Sequence, residues 1–312
     1  MSEPRYPIYI ISKGRAKSRY TSKVFETMGV PYKIVIEPPE YNEYAAVIDQ
    51  DKILQLPFSD HGKGSGPARN WCWEHSKSLG HKRHWLFDDN IYEFWRLHNN
   101  KRYRVAKGTS IFRAAEDFVD RFENVAVAGF QYKFFCVDDY PYPPYITNTR
   151  IMSNFLIQND CPVQWRGRYN EDVDLSIRVL KEGLCTVLFY SFLCGRARTG
   201  LIKGGNTEEV YNNYEEDASF KKSQMLVDMH PDVATLADRY GRVHHQIDLD
   251  AIKTKDGKRA RRLPLILKKN APIINDTDEY GMVLARNWNT SNQYLDKQFN
   301  KAVYPSGRKV RV

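Results

Sequence analysis

Between Ile8 and Phe192, short apolar runs alternate with stretches of helical periodicity, and a chain built this way has few ways to fold. Ile8-Tyr9-Ile10-Ile11 reads as a strand, followed by the turn Ser12-Lys13-Gly14-Arg15 and a helix over 17–28 that Gly29 and Pro31 stop. Residues 33–36 predict a second strand, 41–49 a short helix and 53–56 a third strand. The loop Gly62-Lys63-Gly64-Ser65-Gly66-Pro67 opens a helix running to Leu79, and Pro67 suits its first turn because it lacks an N–H that would go unpaired there. His84-Trp85-Leu86-Phe87 is a fourth strand. A helix over 110–122, an extended stretch over 125–129, a strand over 151–157, a helix over 171–182 and a strand over 185–192 follow. This repetition predicts an α/β fold: a mostly parallel sheet with helices on both faces. Ligands of such sheets bind beyond the carboxyl ends of the strands, so the loops after Ile11, Leu56 and Phe87 should carry the chemistry.

Composition narrows the class. With 42% hydrophobic and 27% charged residues the chain is ordinary for a soluble globular protein, which argues against extensive disorder. No apolar run approaches the ~18 residues a membrane helix needs, and Met1-Ser2-Glu3-Pro4-Arg5 has no signal-peptide core. Five scattered cysteines without a CxxC pair argue against a zinc ribbon or disulfide scaffold; reduced thiols in a cytoplasm are the expectation.

The net charge of +9 is localised. Residues 251–312 hold 14 basic against 5 acidic residues, whereas the first 250 hold 33 of each. The chain is therefore expected to divide into a neutral body, 1–246, and a basic C-terminal extension, 247–312. The densest block comprises Lys253, Lys255, Lys258, Arg259, Arg261, Arg262, Lys268 and Lys269 against a lone Asp256. Such a block suits a polyanion such as DNA; a solvated surface segment has the same composition.

Neither GxGxxG nor GxxxxGK[ST] occurs, which argues against a dehydrogenase or a P-loop NTPase. Asp88-Asp89-Asn90 directly follows the fourth strand. Hard oxygen ligands there can hold Mg²⁺ or Mn²⁺ and, through it, a diphosphate. Equally, Asn90 with Glu93 three residues on looks like a capping box for a helix over 91–94. Glu171-Asp172-Val173-Asp174 opens a helix, where the macrodipole favours acids; three acids in four residues exceed what capping needs, so one can act as general base. Arg69-Asn70, near a helix start, can face phosphates or a nucleobase, although helical arginines are mostly surface residues. His244-His245 is surface composition, or else the source of a further metal ligand.

In this order the motifs resemble the GT-A glycosyltransferases, and more closely the phage glycosyltransferases associated with TET/JBP-type oxygenases that modify hydroxymethylated pyrimidines in DNA. The stretches that carry the resemblance are Pro7 to Arg15, Gly66-Pro67-Ala68-Arg69-Asn70, Trp85 to Ile91, Glu171 to Ser176 and Gly204-Gly205-Asn206-Thr207, within residues 7–245. It implies a GT-A-like Rossmann-type sheet, a UDP-sugar donor and a hydroxymethylated DNA acceptor in an infected host's cytoplasm, with no membrane contact. It also implies transfer of glucose or a pentose such as arabinose to 5-hydroxymethylcytosine, with inversion. Asp172 would be the base and Glu171 would orient acceptor or donor. Asp88, Asp89, Asn90 and His245 would hold Mn²⁺ or Mg²⁺. The donor would bind Ser12, Lys13, Gly14, Arg15, Arg69, Asn70 and Asp88, with Lys203, Gly204, Gly205 and Asn206 closing over it. A strict DxD has Asp where this chain has Asn90, which leaves the choice between Asp88 and Asp89 open. A GT-A enzyme acting on protein, glycan or lipid shares every one of these motifs. A non-enzymatic DNA-binding α/β module accounts for the basic extension alone, and a relative that has lost catalysis fits Asn90.

Overall fold

The structure, a computed structural model, describes residues 3–59, 62–197, 204, 218–239, 242–271 and 283–285. Its first half contains β1 (Ile8–Ile11), α1 (Tyr20–Met28), β2 (Lys33–Ile36), α2 (Tyr41–Ala45), β3 (Ile53–Gln55), α3 (Gly66–Ser78), β4 (Arg83–Asp88), β5 (Ile91–His98), β6 (Lys101–Lys107) and α4 (Ser110–Val119). The second half contains β7 (Val125–Tyr132), β8 (Tyr145–Thr147), β9 (Asn154–Gln158), α5 (Glu171–Lys181), β10 (Cys185–Arg196), α6 (Ala218–Met229), β11 (Ala234–Arg239), β12 (Arg242–Ile247) and β13 (Val283–Ala285).

Eleven strands form one sheet in the order β13-β6-β5-β10-β7-β9-β4-β1-β2-β3, with β8 paired to β10. Strands β3, β2, β1 and β4 run parallel, as do β7 and β10. This is the expected α/β arrangement. To it the chain adds β9, antiparallel between β4 and β7, and the antiparallel β5–β6–β13 edge. Strand alternation sends neighbouring side chains to opposite faces. Ile8, Ile10, Trp85 and Phe87 pack with Phe25 of α1 and Phe112 of α4. Tyr9, Val35 and Leu86 pack with Trp73 of α3 and Leu175 of α5. Helices thus cover both faces.

Three sequence expectations change. The 91–94 helix is instead the start of β5, so Asn90 and Glu93 form no capping box. Asn99 and Asn100, both left-handed at φ 48° and 58°, make the two-residue turn that returns the chain as β6; such a turn matches the strand twist. Strand β9 starts at Asn154, because Ser153 at φ 62° breaks the extended run. Strand β10 continues to Arg196, past the end of its apolar run.

The first part of the basic extension is packed on the body. Ile252 and Ala260 are fully buried against Val173, Ile177 and Leu180 of α5. Farther on, Ile266 N donates to Asn124 Oδ1 at 2.8 Å and Lys268 N to the Arg121 carbonyl at 2.8 Å. Asn124 precedes β7, so this strap lies at the amino ends of the central strands. No helix among the described residues is long and apolar enough to cross a membrane.

Candidate active site

The alternation of β4 aims Asp88 at the face that Leu86 shares with α3. There Arg69 Nη2 donates to Asp88 Oδ1 at 2.6 Å and lies 3.6 Å from Glu171 Oε1. Ser65 Oγ donates to Glu171 Oε1 at 2.5 Å and accepts from Arg69 Nε at 3.0 Å. The guanidinium rests over the rings of Trp165, 4.7 Å from its centroid, and Phe155, 5.3 Å away. Such a stack favours arginine over lysine. Arg69 is only 4% exposed. Burial alone would weaken its hold on the proton, but Asp88 and Glu171 more than reverse that and raise its pKa. One group is left over: Arg69 Nη1 is buried without a hydrogen-bond partner.

Asp89 is committed elsewhere. Ser12 Oγ donates to its Oδ2 at 2.7 Å and Arg15 Nη1 pairs with its Oδ1. Burial raises its pKa while Arg15 and Ser12 work against the rise. The Arg15 guanidinium also donates to the Gly204 carbonyl at 2.9 Å. Gly204 sits at φ +84°, and a Cβ there would run into the Gly14 carbonyl, so Gly204 lies directly on the loop after β1. Lys13 pairs with Glu37 at 2.9 Å, and Gly14 N donates to Glu40. Thr21 fixes the turn between β4 and β5, donating to the Asp88 carbonyl at 2.6 Å and accepting from Ile91 N at 2.9 Å. Asn90 Oδ1 is buried and has no partner.

The first turn of α5 holds Glu171, Asp172 and Asp174. Asp172 is half-buried, and burial together with neighbouring Glu171 pushes its pKa up to about 6, against the pull of Lys222, the Val173 N–H and Arg69. A carboxyl poised there can take a proton near neutral pH. Asp174 is fully buried. It accepts from His230 Nε2 at 2.8 Å, Arg178 Nε at 2.8 Å and Arg166 Nε at 3.0 Å. Burial alone would raise its pKa, and these bonds overturn that and lower it.

Other expected site residues are placed differently. Asn70 spends both ends of its amide on the Trp165 backbone, at 2.9 and 3.0 Å, which ties α3 to the 165 segment. His245, on β12, lines a separate cavity with Arg150 and Gln246. Its pKa is lowered to about 4 by burial and by Lys222, Arg150 and His244. Among the described residues no three of His, Cys, Asp and Glu gather into a metal-holding group, so Asp88, Asp89 and His245 are not brought together. Lys203, Gly205 and Asn206 lie outside the described residues. In the basic block, Lys253, Lys255, Lys258, Arg259, Arg262, Lys268 and Lys269 are exposed, while Arg261 donates to the Thr147 and Asn148 carbonyls at 2.9 and 2.8 Å. Lys255 pairs with Glu182, and Lys258 with Asp256.

One residue near the site escapes the sequence reading. Arg196, at the end of β10, donates to Tyr132 OH at 3.0 Å and feels the charge of Asp88; Tyr132 OH meets Ser153 Oγ at 2.7 Å. The carboxyl-end rule for strands points to it once β10 is given its full length.

For a divalent cation, the available oxygens are those of Asp88, whose side chain keeps 24% of its surface exposed, and the unpartnered Asn90 Oδ1. Mg²⁺-type sites with one or two protein carboxylates, several waters and substrate phosphates fit so small a set. Asp89 has both oxygens engaged, by Ser12 and Arg15, and is buried, which leaves Asp88 the more open of the two.

No curated protein matches the chain. The profile of the TET-Associated Glycosyltransferase family matches residues 6–207, which includes β1, Arg69, Asp88 and the whole of α5. The chain belongs to the TET-Associated Glycosyltransferase family and is a glycosyltransferase.

Proposed function

We propose that the protein transfers a sugar from a UDP-sugar to the hydroxymethyl oxygen of 5-hydroxymethylcytosine in DNA, with inversion at the anomeric carbon. The observation that carries the reading is the buried Arg69 linking Asp88, at the carboxyl end of β4, to Glu171, next to Asp172. One guanidinium so placed sets a donor-side carboxylate and a base-side carboxylate in a fixed relation.

The donor's diphosphate lies at the carboxyl ends of β1 and β4, facing Arg15 and the unused Nη1 of Arg69, with Arg196 as a further cation. Asp88 and Asn90 would hold a Mn²⁺ or Mg²⁺ ion, which when bound neutralises charge on the leaving diphosphate. The acceptor oxygen attacks the anomeric carbon and its proton passes to Asp172. The bond from that carbon to the diphosphate oxygen breaks, and the electron pair leaves with UDP. Glu171 is held by Ser65 and Arg69 and orients the sugar or the acceptor; Asp172, which no cation clamps among the described residues, is the better base. The association with TET-type oxygenases in the family's name, together with the basic extension, supports a hydroxymethylated DNA acceptor. Gly204, seated against the Gly14 carbonyl, borders the donor.

The test incubates hydroxymethylcytosine DNA with a panel of UDP-sugars and Mn²⁺, followed by nucleoside mass spectrometry. A mass increase of one hexose or pentose on the nucleoside is the expected result. Transfer only to a protein, glycan or lipid would overturn the acceptor assignment.

A further inference from the structure

A cavity of about 330 Å³ opens beside α5, away from the Arg69 linkage. Its floor is aliphatic, made by Val173, Ile177 and Leu180, and Ile247 and Leu249 face them from β12 and the residues after it. Its polar lining includes Arg150, Gln246 and His245, and among the described residues no carboxylate lines it. Arg150 and Lys222 both act electrostatically on His245. Two apolar walls under a cationic rim suit a flat heterocycle carrying an anionic group. The size falls at the lower end of the ~300–1,000 Å³ range of small-molecule sites.

The floor connects to the chemistry. Ser176 lines the cavity and donates through its Oγ to the Asp172 carbonyl at 2.9 Å. Residues four apart lie on one helix face, about 6 Å apart along the axis, so Asp172 stands one turn above the cavity floor. Lys222 acts electrostatically on Asp172 as well as on His245.

We propose that this cavity is the acceptor pocket: one nucleotide, rotated out of the duplex, lies on α5 with its base between the aliphatic walls. Its phosphate meets Arg150 and Lys222, and its hydroxymethyl oxygen points up the helix to Asp172. This rests on the function proposed above. The C5 substituent of a paired cytosine projects into the major groove, and extrusion, at roughly a few kcal/mol, brings it out of the groove to Asp172.

Two variants test it, Arg150→Ala, which removes an exposed cation, and Leu249→Trp, which fills the cavity from its half-buried rim. Binding of 5-hydroxymethyl-2′-deoxycytidine 5′-monophosphate is measured by calorimetry on the full chain, with UDP affinity and the melting temperature as controls. Both variants should lose at least tenfold in affinity for the mononucleotide and raise KM for hydroxymethylated duplex by a similar factor. Parental affinity and KM in both variants would overturn the pocket, as would no binding of the mononucleotide to the parent at millimolar concentration. Should Leu249→Trp fail to fold, Arg150→Ala decides alone. If no UDP-sugar is transferred to DNA, the transfer reading fails while the binding measurement still decides the pocket.

Discussion

Asp172 and Asp174 stand two residues apart on the same helical turn, yet they have opposite environments. Asp174 has no exposed surface and is clamped by Arg166, Arg178 and His230, which hold it ionised. Asp172 is half-buried, borders Glu171, and no cation lies within bonding distance of it among the described residues; its pKa sits near 6. An acid tied up by two guanidinium groups and the His230 ring cannot exchange a proton without breaking those contacts. An acid whose pKa burial and a like-charged neighbour raise to about 6 can. The two positions separate structure from chemistry within one turn of α5, and the same division recurs at β4, where Asp89 is bound by Ser12 and Arg15 and Asp88 keeps an accessible edge.

The widest separation should come from Asp172→Asn. Transfer is expected to fall by about 10²–10⁴-fold, the usual share of a general base, with an unchanged melting temperature and UDP affinity within a few-fold. A variant that turns over at the parental rate would remove Asp172 from that role. Asp174→Ala should do the reverse and cost about 3–5 kcal/mol of stability, because it leaves His230 buried and the half-buried Arg178 without their carboxylate. Urea denaturation measures it, and a midpoint shift of under 1 kcal/mol would contradict the clamp. Arg69→Lys comes next. It keeps the charge but loses the stack on Trp165 and the bond to Ser65, and should cost about 1.5–3 kcal/mol. UDP binding should weaken with it, and an unaffected UDP affinity would detach Arg69 from the donor.

The same contrast predicts two pH dependences of opposite sign. The groups acting on Asp172 are Glu171, which raises its pKa, and Lys222, the Val173 N–H and Arg69, which lower it. As base it must be ionised, so transfer should climb as pH rises through about 6, and Asp172→Asn should lose that limb. For stability, a raised pKa means a contribution present below the ordinary Asp value and lost as pH rises through about 6. Asp174 runs the other way. Its lowered pKa contributes stability above the ordinary Asp value, and that is lost as pH falls through the folded-state value.

How legible this was depends on how local each signal is. The acids after β4 and at the start of α5 stand out because a strand's end and a helix's start are local patterns. The linkage through Arg69 is not, since it needs α3, β4 and α5 brought together by the sheet. Asn70 looked equivalent to Arg69, but the turn of α3 points it at the Trp165 backbone instead. His245 suggested a metal ligand as one of a histidine pair. Its pairing with Leu236 in the β11–β12 hairpin sets it against α5 rather than β4. Arg196 was missed because the apolar run stops at Phe192 while pairing with β5 carries the strand on. The β5–β6 hairpin had a sequence signal in Asn99-Asn100 that a helical reading of 91–94 concealed.

The smallest expected effect concerns the far end of α5. There the basic segment docks through Lys255, whose N–H donates to the Lys181 carbonyl and whose ammonium pairs with Glu182. Eleven helical residues put this contact roughly 15 Å from Asp172, and Lys268 docks on the Arg121 carbonyl, at the amino ends of the strands. Cations so placed can attract a long duplex without positioning the reacting base. Replacing Lys253, Arg259 and Arg262 with alanine should therefore weaken duplex binding and flatten its salt slope by about one unit per lost phosphate contact, with kcat unchanged at saturating DNA. A fall in kcat would mean that this segment shapes the site itself, and the separation between the two ends of α5 would not hold.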